Sequence, residues 1–262
     1  MNRINELFQR KNKNLLSLYF CAGYPTLNGT IGVLEAMQTE GIDFVEIGIP
    51  FSDPIADGPV IQEASTKALQ QGMSLKLLFS QLRNVRNTVN LPIILMGYLN
   101  PIFQYGFEKF CNSCKECSID GVIIPDLPFS DYLKTYKAIA DKYDFRIIML
   151  ITPETSDERI ERIDQQTNGF IYMVSSASTT GIQTSFGNEL QDYFNHVNAM
   201  NLRNPRMIGF GVSNKKTLKS AQQNATGAII GSLFIHLQSQ YKSPQETIRA
   251  LFKTLEKDRA QI

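Results

Sequence analysis

The sequence lacks the features that mark several classes of protein. The 26 basic residues nearly balance the 25 acidic ones, so the net charge of +1 leaves no electrostatic footprint for nucleic acid or a membrane surface. No apolar run approaches the ~20 residues of a membrane-spanning helix. The polar start of the chain has no apolar signal-peptide segment. These absences predict a cytoplasmic protein that binds neither nucleic acid nor membrane.

Several catalytic motifs are also missing. There is no G-x-S-x-G elbow for a hydrolase triad and no Walker motif, and no His, Asp and Glu cluster has metal-ligand spacing. Lysines avoid the predicted strand interiors, which argues against Schiff-base chemistry. The two histidines, His196 and His236, fall in helical patterns. We therefore expect catalysis by carboxylates, with no cofactor or metal in this chain.

Three of the four cysteines occur together as C-N-S-C-K-E-C at 111–117, which superficially suggests an iron–sulfur or zinc site. A buried helix stripe explains them better. Phe107, Phe110, Cys111 and Cys114 recur at the spacing of one helix face. Free cysteine behaves there as a small hydrophobic residue.

Eight apolar, β-branched runs alternate with helical patterns along the 262 residues. Such alternation without a compositional break predicts a parallel sheet, and eight units in this length favour a closed barrel. We expect one (β/α)8 TIM-barrel domain over 1–262, with extra helices in the βα loops and a short helix at about 3–11 closing the bottom. The predicted strands are 15–20, 43–48, 92–96, 121–125, 146–151, 170–174, 206–210 and 227–231. Ser130, Ser156 and Ser213 are predicted helix N-caps.

The segment E-I-G-I-P-F-S-D-P-I-A-D-G-P, which begins at Glu46, carries the first candidate site. Val45 and Ile47 share one face of the predicted strand, suited to the surrounding helices, whereas Glu46 faces the barrel interior. Burial there would raise its pKa towards a value useful in proton transfer. The alternative is a structural ion pair, but the inward positions offer few basic residues.

Three prolines stiffen the loop that follows. Asp53 and Asp57 lie in this loop, and either could be an ordinary turn residue. That interpretation is strong for Asp53, which precedes a proline, and weaker for Asp57, where the chain returns to the barrel mouth. A second acid in a different environment would allow one group to donate a proton while another accepts charge.

Glycines follow three of the predicted strands at the positions where barrels bind phosphate. G-F-G at 209–211 follows strand seven, G-S at 231–232 follows strand eight, and T-T-G at 179–181 lies in the loop after strand six. Glycine permits close backbone approach, and exposed N–H groups hold a phosphate dianion. Ordinary turn glycines are the alternative.

These segments together resemble the tryptophan synthase alpha chain family. The similarity includes the Glu46 segment, A-G-Y-P at 22–25, M-G-Y-L-N-P at 96–101, P-D-L-P at 125–128, S-T-T-G at 178–181, G-F-G-V-S at 209–213 and G-A-I-I-G-S at 227–232. The resemblance implies a barrel that cleaves indole-3-glycerol phosphate to indole and D-glyceraldehyde 3-phosphate. In it, Glu46 is the acid–base catalyst that protonates the indole, and Asp57 binds the indole N–H.

The resemblance also implies the residues of the substrate pocket. These are Tyr172 and Thr180 in the pocket, Gly181, Phe210, Gly211, Gly231 and Ser232 at the phosphate, and Tyr19, Met96 and Ile123 around the indole. One departure is that Ser178 and Thr179 stand where many relatives have glycine and valine. That change bears on loop mobility and on coupling to a partner.

The same resemblance implies a partner. Relatives work with a beta chain that carries pyridoxal phosphate (PLP), as an alpha2-beta2 heterotetramer. The expected contacts are the loop 50–57 and the segment 100–105. Three alternatives stay open: a stand-alone indole-releasing lyase, a non-enzymatic barrel that only activates a beta chain, and another phosphate-binding barrel enzyme such as an isomerase. The second would predict loss of Glu46 or Asp57, and the third a lysine or cysteine at strand ends.

Overall fold

Eight parallel strands close into a barrel in a computed structural model that describes residues 1–175 and 187–256. Each strand pairs with the next along the chain, and the last pairs with the first. The predicted TIM barrel is therefore confirmed. The strands are β1 (Leu15–Cys21), β2 (Phe44–Gly48), β3 (Ile93–Met96), β4 (Gly121–Ile123), β5 (Arg146–Ile151), β6 (Ile171–Val174), β7 (Arg206–Gly209) and β8 (Gly227–Ile230).

Helices surround this barrel, and two of them follow each of β2, β3, β4 and β8. The extra helices predicted for the βα loops are therefore present. They are α1 (Arg3–Arg10), α2 (Thr30–Thr39), α3 (Pro59–Gln70), α4 (Leu75–Leu82), α5 (Leu99–Tyr105), α6 (Phe107–Glu116), α7 (Phe129–Asp131), α8 (Lys137–Lys142), α9 (Asp157–Gln166), α10 (Asn188–Ala199), α11 (Lys215–Asn224), α12 (Ser232–Gln238) and α13 (Pro244–Glu256). A 3₁₀ turn spans Val85–Asn87, and a π-helical turn, Tyr132–Tyr136, joins α7 to α8. None of the helices in the described part of the chain is long and apolar enough to cross a membrane.

Helix α1 closes the bottom of the barrel, as predicted. Its N-cap Asn2 accepts a hydrogen bond from the Ile4 backbone N–H at 3.0 Å. Ile4 is buried, and the Phe8 ring lies 6.3 Å from that of Phe44 and 5.6 Å from that of Phe170, at the starts of β2 and β6. Apolar contact therefore seals the end of the barrel opposite the predicted site.

The helix-level predictions had mixed outcomes. The buried stripe of α6 is confirmed, with Cys111 and Cys114 both in it. Ser156 caps α9 by accepting from the Arg159 N–H, as predicted. The prediction for Ser130 is wrong, since the N-cap of α7 is Pro128, two residues earlier. The prediction for Ser213 is wrong by one position, because the N-cap of α11 is Asn214, which forms a capping box with Thr217.

Candidate active site

Glu46 lies in the middle of β2 and is fully buried. The strand register places it beside Tyr19 of β1 and Ile94 of β3. Neither carboxyl oxygen has a hydrogen-bond partner among the described residues. Burial therefore raises the pKa of Glu46 to about 8, because nothing offsets the loss of water around the charged form. A pKa near 8 leaves the carboxyl group mostly protonated at pH 7, so that it holds a transferable proton.

Asp57 stands at the end of the proline-rich loop, two residues before the first residue of α3, and is 6% exposed. Its carbonyl oxygen accepts a hydrogen bond from Gln62 Nε2 at 2.8 Å, and its Oδ2 accepts one from the Tyr98 hydroxyl at 2.9 Å. Burial raises the pKa of Asp57 to about 6, against the lowering effect of the Tyr98 hydrogen bond. Asp57 is thus mostly ionised at pH 7. Asp53, by contrast, is exposed on the loop surface.

Two buried tyrosines each place their hydroxyl over a glycine at the end of the adjacent strand. A Cβ added at Gly48, the last residue of β2, would overlap the Tyr19 hydroxyl. A Cβ added at Gly209, the last residue of β7, would overlap the Tyr172 hydroxyl. Glycine at both strand ends therefore lets the rings lie flat against the barrel wall near Glu46.

The ends of β7 and β8 form the other side of the site. Phe210 has a φ of 66° and Gly211 a φ of 76°, a left-handed conformation that is uncommon for a phenylalanine. The Ser175 hydroxyl donates to the Phe210 carbonyl, and the Phe210 ring meets the Tyr172 ring edge-on with centroids 5.9 Å apart. Gly231 and Ser232 lie at the start of α12. A non-glycine residue held in this conformation indicates a locally specified, functional turn.

These groups line one pocket that encloses about 470 Å³, including its open mouth. Nine of the twelve predicted site residues line it: Tyr19, Glu46, Asp57, Met96, Tyr172, Phe210, Gly211, Gly231 and Ser232. Ile123 is not in this lining but is fully buried on β4. Thr180 and Gly181 lie outside the described residues, as do Ser178 and Thr179.

The pocket also contains residues that the sequence analysis did not assign to the site. They are Ile61, Val212, Ser213, Ile229 and Leu233. Ile229 could have been found from the alternation of β8, since it lies two residues before Gly231. Ile61 lies in the first turn of α3, four residues after Asp57, and no local pattern distinguishes it from a core position. Tyr98, which contacts Asp57, was quoted only as part of a motif.

The chain is similar to known proteins over nearly its whole length. A profile of the family described as "Tryptophan synthase alpha chain" matches residues 6–261. The tryptophan synthase alpha chain of Parabacteroides distasonis is 60% identical over 255 residues, covering 97% of this chain and 99% of that one. The crystal structure of tryptophan synthase subunit alpha from Legionella pneumophila str. Paris superposes with a TM-score of 0.86 at 33% identity and covers 97% of each chain.

The chain belongs to the tryptophan synthase alpha chain family. The resemblance found in the sequence motifs is therefore confirmed, and so is its assignment to tryptophan biosynthesis. The alpha chain of Flavobacterium psychrophilum, at 55% identity over 235 residues, extends the similarity to a further relative. Family membership makes this chain an enzyme with lyase activity.

Proposed function

We propose that this alpha chain cleaves a carbon–carbon bond of indole-3-glycerol phosphate to give indole and D-glyceraldehyde 3-phosphate. The observation that carries the proposal is the pair of acids in one pocket. Glu46 is buried without a hydrogen-bond partner among the described residues, whereas Asp57 accepts one from Tyr98. Family membership supports the choice of substrate.

The two acids differ in charge at neutral pH, as the reaction requires. With the pKa of Glu46 raised to about 8 and that of Asp57 to about 6, pH 7 leaves the first protonated and the second ionised. One pocket thus offers a proton donor and a negative charge at the same time. This arrangement supports general acid catalysis without a cofactor in this chain.

In the proposed reaction, Glu46 delivers its proton to C3 of the indole ring. Positive charge then develops on the ring nitrogen, where the Asp57 carboxylate accepts a hydrogen bond from the N–H. The bond between C3 and the glycerol side chain breaks, and its electrons return to the ring as indole forms. Glu46, now a carboxylate, takes the proton of the adjacent side-chain hydroxyl, whose carbon becomes the aldehyde. Proton and electron counts balance, and the catalyst regains its initial state.

The phosphate of the substrate would bind at the opposite side of the pocket. Phe210, Gly211, Gly231 and Ser232 line that side, at the ends of β7 and β8. This is the position at which TIM barrels usually bind phosphate. On the family resemblance we include Gly181 in this proposed site, place Tyr172 and Thr180 in the substrate pocket, and place Tyr19 and Met96 around the indole. We place Ile123, which is buried but does not line the pocket, in a second layer behind the residues that surround the indole.

We further propose that the chain works with a beta chain carrying PLP, as an alpha2-beta2 heterotetramer, and passes indole to it. Two large apolar side chains support the predicted contact surface: Ile55 in the loop 50–57 is 75% exposed, and Phe103 in the segment 100–105 is 64% exposed. Contiguous exposed apolar groups mark interaction sites, and the hydrogen bond from the Ala56 N–H to the Tyr98 hydroxyl holds the two segments next to each other. A stand-alone lyase remains the second candidate.

Two broader features complete the proposal. A single domain over 1–262 is supported by the pairing of β8 with β1, which joins the two ends of the barrel into one closed sheet. A cytoplasmic location is supported by the membership of the family in an amino-acid biosynthetic pathway.

The experiment that tests the function measures indole release from indole-3-glycerol phosphate by the purified chain, with and without a cognate beta chain. We expect slow release alone and strong stimulation by the partner. Equal rates would retain the chemistry and favour the stand-alone lyase. No release in either condition would overturn the proposed substrate. A variant with Ile55→Asp and Phe103→Asp should lose the stimulation but keep the basal rate, whereas Tyr241→Asp, at another exposed apolar residue, should keep both.

A further inference from the structure

The Tyr98 hydroxyl lies between the Asp57 side chain and the backbone of the same loop. It is 2.9 Å from Asp57 Oδ2 and 3.0 Å from the Ala56 backbone nitrogen. The Tyr98 side chain is buried, at 5% exposure, and it is the residue that immediately precedes α5. One hydroxyl thus connects the end of β3 to two consecutive residues of the loop that follows β2.

The two contacts together fix the direction of the hydrogen bond. The Ala56 N–H can only donate, so the Tyr98 oxygen acts as its acceptor. The single hydroxyl hydrogen of Tyr98 is then directed at Asp57 Oδ2, which can only accept while the carboxylate is ionised. The geometry therefore selects the ionised form of Asp57 and orients its carboxylate plane.

Tyr98 is itself held rigidly. Its ring packs against that of Phe51, with centroids 5.4 Å apart, and the N–H of the next residue, Leu99, donates to Asp126 Oδ1 at 2.8 Å. Helix α3 holds the backbone of the loop through hydrogen bonds. The Ser65 hydroxyl bonds to the backbone of Phe51, and Gln62 Nε2 donates to the Asp57 carbonyl. Hence the contacts with α3 fix the backbone position of Asp57, and the hydrogen bond from Tyr98 fixes the orientation of its carboxylate.

We propose that Tyr98 is the positioning residue for Asp57, orienting its carboxylate towards the pocket and keeping it ionised during the reaction. This inference rests on the proposed function, because it assigns Asp57 the role of holding the substrate N–H. Tyr98 does not line the pocket, so it acts through Asp57 and not on the substrate.

The other groups that face Asp57 do not duplicate this role. Tyr19 and Cys21 of β1 and Tyr172 of β6 are buried, and burial near Asp57 raises the pKa of each so that all three stay neutral. Glu46 of β2 is the remaining acid in the pocket and is protonated at pH 7. Against these, the Tyr98 hydrogen bond lowers the pKa of Asp57. Its removal should therefore raise that pKa.

The test is Tyr98→Phe, which keeps the ring and its packing on Phe51. In the unaltered chain we expect the acid limb of the kcat/KM profile for indole release to lie near pH 6, and in Tyr98→Phe we expect it to move up by about one unit. At pH 5, below both values, kcat should fall about tenfold with KM changed less than about threefold, because one pKa unit lowers the ionised fraction of Asp57 about tenfold there. The matched control is Tyr132→Phe, whose buried hydroxyl donates instead to the Gln166 carbonyl at 3.0 Å.

A second readout does not depend on activity. Carbon-13 NMR of aspartate-labelled protein, with Asp57→Asn to assign the signal, follows the Asp57 carboxyl directly. We expect its midpoint to rise in Tyr98→Phe and to stay in place in Tyr132→Phe. Absence of indole release by the unaltered chain would overturn the proposed function. The NMR titration would still show whether the Tyr98 hydroxyl lowers the pKa of Asp57. An unmoved Asp57 midpoint, or the same loss of rate at every pH in both variants, would overturn the role of Tyr98.

Discussion

The two ends of the barrel bury carboxylates in opposite ways. At the bottom, Asp120 is 3% exposed and accepts hydrogen bonds from Arg86 at 2.8 Å, Arg3 at 3.2 Å and the Ile93 N–H at 2.8 Å. At the mouth, Glu46 is fully buried and accepts none from the described residues. A partnered carboxylate links elements of the fold through its hydrogen bonds, whereas burial without a partner forces a carboxyl group towards its neutral form.

A second pair repeats the contrast. Asp164, also at the bottom, accepts from the backbone N–H groups of Arg203 and Asn204 at 2.9 Å each and so ties α9 to the segment before β7. Asp57 at the mouth accepts from Tyr98, and burial still raises its pKa. The bottom therefore uses buried charge for stability, while the mouth gives up stability for groups whose protonation is poised near pH 7.

The largest effect expected at the mouth comes from Glu46→Gln, which keeps the shape of the side chain and removes the transferable proton. We expect kcat for indole release to fall about 10³–10⁴-fold, within the range for loss of a general acid–base group. Circular dichroism should show an unchanged fold. Glu63→Gln, on the exposed side of α3, is the matched control and should retain full activity. Substantial activity in Glu46→Gln would mean that Glu46 is not the proton donor.

The matching change at the bottom is Asp120→Asn, which should affect stability and leave the chemistry alone. Arg86 would remain largely buried without its ionic partner, so we expect a loss of about 3–4 kcal/mol in the free energy of unfolding. Urea unfolding measures it, and kcat should stay within about twofold. Asp141→Asn, which breaks an exposed pair with Lys137, should cost less than about 0.5 kcal/mol. Similar losses of unfolding free energy in both variants would mean that the buried ion pair of Asp120 stabilises the fold no more than the exposed pair of Asp141.

A smaller effect is expected from Asp57→Asn. The amide keeps the volume but loses the charge that would stabilise the ring nitrogen, so we expect kcat to fall about 10²-fold with KM nearly unchanged. Asp53→Asn, four residues earlier in the same loop and exposed, should leave both constants unchanged. A collapse of substrate affinity with surviving turnover would argue against charge stabilisation as the role of Asp57.

Much of the fold follows from local pattern. All eight strands lie within two residues of their predicted bounds, because buried parallel strands are continuous apolar runs separated by helical periodicity. The predicted N-caps were less accurate, since neighbouring serine, asparagine and proline residues can all begin a helix, as at Pro128 and Asn214. Which of them does so depends on tertiary contacts.

The site was predictable where it depends on single residues and not where it depends on contacts between loops. Glu46 stands out as an acid within an apolar strand, and Asp57 follows it in a proline-rich loop. The hydrogen bond from Tyr98 to Asp57 joins residues 41 positions apart, and no local pattern indicates it. No local pattern showed either that Ile123, although buried on β4, does not line the pocket.

The smallest effect bears on what the mouth gives up in stability. Folded Glu46 keeps its proton up to about pH 8, whereas the unfolded chain loses it near its ordinary value of 4.5. The folded state therefore binds more protons in this interval, and stability should fall as pH rises through it. Glu46→Gln does not titrate, so its advantage over the unaltered chain should grow by about 2 kcal/mol between pH 6.5 and pH 8.5. Urea unfolding at both pH values measures the growth, and Glu158→Gln, on an exposed side chain, should show none. Parallel stability curves for Glu46→Gln and the unaltered chain would mean that Glu46 ionises as easily in the folded barrel as in water, and the contrast between the two ends of the barrel would then be lost.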